Sequence, residues 1–337
     1  MYFSILIPVY NKEKEICTCL DSVLRQTFAD IEIIVVDDGS KDASAEVIRE
    51  YTEKDSRVIL IQNEKNESLL YSRMKGMQNA KGKYILLVDA DDYLEEKACQ
   101  ILHDELEKEP VDILEFQFVR EPSKVMGVWP KRLPDDIPKA IMTCGYNYNV
   151  WHRCYSQSLV QRLLESTEPF YCNMSEDGFF SVVFTVLAKS YRRIPDCLYH
   201  YMIGTGMSTN DYQTKEEVVA AVESMQEKTR QLSVFLEKNR PDLREYVDVF
   251  YQNDLKKVVQ LSTEDSVEIG KQIELLRFMD MLCDSSYAEE RTREFLSSVK
   301  CVREYKNANI RGKAKILIAA LKKDVIKKTC KKLLRKR

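Results

Sequence analysis

Ten cysteines are spread over 337 residues, yet no CxxC pair exists and only Cys17 and Cys19 stand close. That spacing argues against a structural zinc site and against a disulfide framework. Buried thiols in a reducing cytoplasm are the expectation. No apolar run approaches the ~20 residues needed to cross a bilayer. The opening stretch, Tyr2-Phe3-Ser4-Ile5-Leu6-Ile7, lacks a basic segment and a small-residue cleavage site, so it is expected to be a strand and not a signal peptide. No internal repeat is visible, and the basic tail is the one low-complexity segment. What remains is the balance of a soluble globular protein, 44% apolar and 31% charged,. The length suits one large domain and a smaller one.

Charge is unevenly placed. From Arg311 to Arg337 there are twelve Lys or Arg against one acid, Asp324, a net of +11. The chain's total of −3 then leaves −14 on the first 310 residues. A basic tail on an acidic body implies an anionic partner for the tail.

The first half alternates short apolar runs with helical patterns. Strands are predicted at Phe3–Val9, Ile31–Val36, Val58–Gln62 and Tyr84–Val88, with helices at Glu13–Arg25, Ala43–Glu53 and Leu69–Asn79 between them. A helix over Glu95–Lys108 and a strand over Val111–Val119 continue the series. This alternation predicts an α/β fold, a mostly parallel sheet flanked by helices. The prolines of residues 120–150 read as a loop excursion. Helices at Ser156–Glu165 and Glu176–Ala188 and a strand at Tyr191–Tyr201 follow. After a polar break at Gly204–Thr214 the pattern is helical: Lys215–Lys238, Leu243–Leu261, Val267–Leu282 and Tyr287–Val299. A domain boundary is expected near residue 212.

Two predicted strands end in acids. Val36 leads into Asp37-Asp38-Gly39-Ser40, and Val88 leads into Asp89-Ala90-Asp91-Asp92. Open parallel sheets bind ligands at the carboxyl ends of their strands. Asp89 and Asp91 fall on one side of an extended chain and could share a hard divalent cation that also holds phosphate oxygens. Such clusters also serve as turns and helix caps, and Asp92 is a candidate cap for the helix from Glu95. Two acid clusters at two strand ends point to phosphate chemistry without specifying which.

The series Ile7-Pro8-Val9-Tyr10-Asn11, Ser22-Val23-Leu24-Arg25-Gln26-Thr27-Phe28, Val36-Asp37-Asp38-Gly39-Ser40-Lys41-Asp42, Ala80-Lys81-Gly82-Lys83-Tyr84 and Asp89-Ala90-Asp91-Asp92 resembles the family 2 glycosyltransferases, which have the GT-A fold, in order and spacing over residues 1 to about 95. Further on, Ser175-Glu176-Asp177-Gly178-Phe179-Phe180 looks like the family's later acid motif. Trp151-His152-Arg153-Cys154-Tyr155 is similar to a degenerate form of the stretch before it. The resemblance implies a nucleotide-diphosphate sugar donor, most often a UDP-sugar, an acceptor hydroxyl, displacement with inversion, and Mn²⁺ or Mg²⁺ as cofactor. Pro8 and Tyr10 would line the nucleoside pocket, Asp38 would accept from the base, and Asp37 would support that loop. Arg73 would reach the nucleotide or its phosphates. Asp91 would bind the metal, with Asp89 sharing it or facing the ribose and Ala90 between them. Asp177, beside Glu176, would be the catalytic base. A carboxylate suffices to take the acceptor's proton when the leaving group is stabilised. Ser175-Glu176-Asp177 also reads as a helix N-terminus, and both readings are compatible. The sequence departs from the family's pattern at Asn63–Tyr71, which lacks a glycine, at Lys75, where asparagine is common, and at Met202, where arginine is.

Tyr146, Tyr148, Trp151 and Tyr155 crowd the middle of the chain. Aromatic faces suit sugar rings, but a packed core is the expectation for most; Trp151 is the acceptor-site candidate. His200 is a candidate phosphate or metal contact, though a structural histidine is favoured. Gly204-Thr205-Gly206-Met207-Ser208 reads as a lid with the Ser208 hydroxyl as donor. The three regions expected are a catalytic domain over 1–212, a helical region over 213–310 on the acceptor side or in a homo-oligomer interface, and a basic tail over 311–337 lying on an anionic membrane surface. Nothing in the body suggests nucleic acid. By resemblance the acceptor is a glycan or a lipid-linked molecule of bacterial surface polysaccharide, teichoic acid or glycolipid synthesis, and the place is the cytoplasm or the inner face of the plasma membrane. Rival readings fit less well. Phosphatases of the haloacid dehalogenase type expect Thr or Val where Tyr93 stands. A sugar nucleotidyltransferase expects a glycine-rich loop where Pro8-Val9-Tyr10-Asn11 stands. A non-catalytic nucleotide-sugar-binding scaffold would not need Asp38, Asp91 and Asp177 together.

Overall fold

The structure is a computed structural model, and it describes residues 1–262 except 128, 145, 147 and 205–214. In chain order the elements are β1 (Phe3–Val9), α1 (Ile16–Leu24), β2 (Ile31–Asp37), α2 (Ser44–Lys54), β3 (Val58–Gln62), α3 (Leu69–Asn79), β4 (Tyr84–Leu87), β5 (Tyr93–Leu94), α4 (Ala98–Lys108) and β6 (Ile113–Glu121). Then come β7 (Val125–Met126), α5 (Ile137–Cys144), β8 (Arg153–Ser156), α6 (Gln157–Ser166), α7 (Glu176–Leu187), β9 (Tyr191–Met202), α8 (Lys215–Asn239), a 3-10 turn at Pro241–Tyr246 and α9 (Val247–Ser262).

The strands form one sheet in the order β3-β2-β1-β4-β8-β6-β9-β5, with β7 paired to β6. β1 runs parallel to β2 and β4, β2 to β3, and β6 to β9, while β8 is antiparallel to both β4 and β6. Strands β1, β2, β3, β4, β6 and β9 therefore share one direction, and the expected mostly parallel α/β sheet is present. Strand alternation divides its apolar residues between two cores. Phe3, Ile5, Ile7, Ile33 and Val35 pack with Ile16, Leu20, Ile48 and Leu102 on one face. Leu6, Ile34, Val36, Ile85 and Leu87 pack with Leu70, Met74, Leu159, Phe180, Leu232 and Phe250 on the other. Coverage on both faces explains why β1 and β2 read as unbroken apolar runs.

Three local expectations are corrected. The excursion over 120–150 contains the helix α5 and the short strand β7. The helix predicted from Glu95 begins at Ala98, because Tyr93–Leu94 pairs with β9 first. Asp92 does not cap that helix; the cap position is Lys97, without a side-chain bond.

The chain divides into two compact units. The first is formed by Met1–Thr209 with Ser224–Phe250, and the second by Asn210–Glu223 with the chain from Tyr251 onward. The described residues of the second unit are helical. Among the described residues no helix is long and apolar enough to cross a membrane. The helices predicted at Val267–Leu282 and Tyr287–Val299, the basic tail and Ser208 lie outside the described residues.

Candidate functional site

The parallel half of the sheet brings the ends of β1, β2 and β4 side by side, and each ends in a motif read from the sequence. At the end of β2, Gly39 takes φ +72, and an added Cβ would meet the Lys65 backbone carbon at 2.7 Å. Only glycine fits there. Asp37 accepts from Ser40 N at 3.2 Å and from Gln62 Nε2 at 3.2 Å. Asp38 is buried and accepts from Asn63 Nδ2 at 2.7 Å, Glu67 N at 2.9 Å and Ser68 N at 3.0 Å. Its carboxylate thus folds the segment that lacks the family's glycine, and Ser68 there adopts φ +101. Lys75, in the position of an asparagine, donates to Asn63 Oδ1 at 2.6 Å and so backs Asp38 through Asn63. Pro8 is buried within β1 and Tyr10 is half-buried just beyond it.

The Asp89–Asp92 turn after β4 is braced from β9. Tyr199 donates its hydroxyl to Asp92 Oδ2 at 2.7 Å, and the Tyr199 hydroxyl oxygen accepts from Asp89 N at 3.1 Å. Met202 N donates to Asp92 Oδ1 at 2.7 Å. Burial, then the charges of Asp89 and Asp91, raise the Asp92 carboxyl well above its usual range. Ala90 is buried between Asp89 and Asp91.

Arg73 is the hub that joins the late acid motif to this turn. It lies on α3 and is 1% exposed. Nη2 donates to Asp89 Oδ1 at 2.7 Å, and Nη1 donates to Glu176 Oε1 at 2.9 Å and to Asp177. Burial opposes its charge, but Asp177, Asp89 and Glu176 outweigh that and hold the guanidinium firmly protonated. Its guanidinium contacts these three acids at the end of β4 and the start of α7. Burial, with Arg73 pulling down and Asp177 and Asp91 pushing up, leaves Asp89 at about 6. Burial and the charge of Asp177 raise Glu176 to about 8. Ser175 holds the N-cap position of α7 at φ +64 but makes no side-chain cap bond. The motif therefore turns the chain so that both acids face Arg73, and is not an ordinary serine cap.

Asp91 Oδ2 accepts from Lys12 Nζ at 2.9 Å. Lys12 was not among the sequence candidates, although it directly follows the Pro8-Val9-Tyr10-Asn11 motif. Tyr171, also outside the sequence candidates, is 55% exposed and accepts from Asn173 Nδ2 at 2.7 Å.

The donor set suits a hard cation. Asp89 and Asp91 offer only oxygen, and among the described residues four carboxylates, Asp89, Asp91, Glu176 and Asp177, meet the cations Arg73 and Lys12. Negative charge is in surplus. No described group of three His, Cys, Asp or Glu is arranged to hold an ion by itself.

Other candidates lie apart from this cluster. Trp151 is 3% exposed and stacks on Tyr199 at 4.5 Å and on Tyr201 at 5.3 Å. It is a core ring without the open face that a sugar requires. Tyr155 stacks on Phe184, Tyr148 meets Phe250 edge-on, and Tyr146 donates to Glu115 at 3.0 Å. His200 is held between Glu95 Oε1 at 2.8 Å and Glu121 Oε1 at 3.0 Å and stacks on Tyr93.

Comparison with known proteins follows the same outline. The sequence profile described as "Glycosyl transferase family 2" matches residues 4–167. An uncharacterized glycosyltransferase, EpsJ of Bacillus subtilis, is 33% identical over 210 residues, 59% of this chain and 60% of its own. The poly(ribitol-phosphate) beta-glucosyltransferase of Bacillus spizizenii is 29% identical over 260 residues, 71% of this chain and 40% of its own. The chain thus spans less than two thirds of the length of these relatives. The crystal structure of S. aureus TarS 1-349 in complex with UDP-GlcNAc superposes with a TM-score of 0.59 at 19% identity, covering 94% of this chain and 89% of that one. This likeness shows the GT-A fold. Residues 4–167 of the chain match glycosyl transferase family 2.

Proposed function

We propose that the protein transfers a sugar from a UDP-sugar to an acceptor hydroxyl by single displacement with inversion. The observation that carries this reading is the Arg73 hub, which ties Asp177 on α7 to Asp89 at the end of β4. A candidate base and a donor-side acid are thereby held on one buried guanidinium. In the reaction Asp177 takes the proton of the attacking hydroxyl. Arg73 holds that carboxylate in place. Asp91 and Asp89 would hold Mn²⁺ or Mg²⁺, which when bound neutralises the departing diphosphate. Pro8, Tyr10, Asp37 and Asp38 would receive the nucleoside, with Tyr171 at the rim.

The UDP-GlcNAc complex of TarS and the beta-glucosyltransferase relative support a UDP-sugar donor and a cell-surface polymer as acceptor, glycan or lipid-linked. In this reading residues 1–212 are the catalytic domain, with Ser224–Phe250 packed in the same unit. Residues 213–310 serve the acceptor side or a homo-oligomer. The basic tail, 311–337, lies on the anionic inner face of the plasma membrane.

The test is UDP release from a panel of UDP-sugars with Mn²⁺. One donor should be turned over, Asp91→Ala should abolish this, and Asp177→Asn should slow it. Absence of binding and cleavage for every nucleotide sugar under every metal sinks the proposal.

A further inference from the structure

We infer that Lys12 is a movable counter-ion: it neutralises Asp91 when the site is empty of donor and transfers to the donor's diphosphate, which makes metal and nucleotide binding mutually reinforcing. The inference rests on the proposed reading of the β4 acids as the donor site.

The backbone that carries Lys12 is pinned. Asn11, at φ +52, accepts from Lys41 N at 2.8 Å and donates its own N–H to Ser40 Oγ at 3.0 Å. Lys12 N donates to Ser44 Oγ at 2.7 Å. The Lys12 root is therefore fixed to the loop after β2 and the start of α2, while its four-carbon stem can rotate. Its ammonium sits 2.9 Å from Asp91 Oδ2, with side-chain exposures of 19% and 10%. Arg73 differs: it is fully buried and its fork is shared among three acids. Of the two cations at these acids, Lys12 is the one placed to move.

A divalent cation seeking Asp91 must displace that ammonium. A diphosphate arriving over the ends of β1, β2 and β4 offers the ammonium a more highly charged partner. Breaking the Lys12–Asp91 pair is then required once for both ligands instead of once for each. Each ligand consequently raises the affinity for the other by the same factor.

The experiment measures Mn²⁺ binding by the loss of the free-ion electron paramagnetic resonance signal, with and without UDP. It uses the full chain, Lys12→Met, and Lys14→Met as a control on a neighbouring exposed lysine. Without UDP, Lys12→Met should bind Mn²⁺ on the order of tenfold more tightly. The gain in Mn²⁺ affinity produced by UDP should shrink by a similar factor, and UDP alone should bind more weakly. Lys14→Met should match the wild type. A fixed bystander cation would weaken Mn²⁺ equally with and without UDP; an unchanged UDP-dependent gain in Lys12→Met overturns the inference while leaving the donor site intact. If UDP binds but no Mn²⁺ binds to either protein, both the inference and the metal part of the proposed function fall.

Discussion

Arg73 and Asp177 stand 104 residues apart in the chain and form a partly buried ion pair. α3 supplies the cation and the first turn of α7 supplies the acid. Because Asp89 and Glu176 share the same guanidinium, removing it leaves three carboxylates without their common partner. Arg73→Met should destabilise the fold by about 3–5 kcal/mol, the cost of uncompensated buried charge. Urea unfolding gives this directly, and a loss below 1 kcal/mol would show that the hub is not structural. Arg73→Lys keeps the charge but loses the fork, so it should fold better yet remain catalytically impaired.

Asp177→Asn preserves shape and removes the base. Turnover should fall by about 10²–10⁴-fold, while UDP affinity measured by calorimetry stays within about twofold of wild type. A variant that loses nucleotide affinity in step with turnover would place Asp177 on the donor side instead.

Glu176 titrates at about 8, raised from its ordinary 4.5. A carboxyl raised on folding contributes stability that is fully present below pH 4.5 and is lost as pH rises through 8. Glu176→Gln cannot ionise, so its melting temperature relative to wild type should climb between pH 5 and pH 9 in a chelator. A constant difference across that range contradicts the raised carboxyl.

Tyr199→Phe removes the hydroxyl that bridges Asp92 Oδ2 and Asp89 N. Leaving buried polar groups unmatched costs about 1–3 kcal/mol. Mn²⁺ affinity in the presence of UDP should weaken as the Asp89–Asp92 turn loosens, which the same resonance titration reports.

Gly39→Ala strains φ +72 and drives a methyl into the Lys65 backbone. A loss of about 1–3 kcal/mol is expected, with weaker UDP binding because Asp38 organises the same loop. Thermal melts with and without UDP separate the two effects.

Much of the fold was legible in local pattern. The runs at Phe3–Val9 and Ile31–Val36, the helix over Leu69–Asn79, and the acids closing β2 and β4 all stand as read. Residues 120–150 were less legible, because their prolines mask a helix whose apolar face is satisfied only against α7 and the core behind β4. The cap assigned to Asp92 failed for a related reason. A buried acid takes whichever donors surround it, and Tyr199 and Met202 come from a strand 107 and 110 residues away.

The sequence alone determined the strand-helix alternation, the glycine after Asp38 and the acids at the strand ends, since periodicity, backbone conformation and turn chemistry are set by near neighbours. Only the tertiary structure decided which charges face each other: Arg73 under Asp89 and Asp177, Lys12 on Asp91, and Trp151 in the core. Those pairings depend on strand order and helix placement, which short-range preferences do not encode, and on burial, which makes an unmatched charge too costly to leave alone.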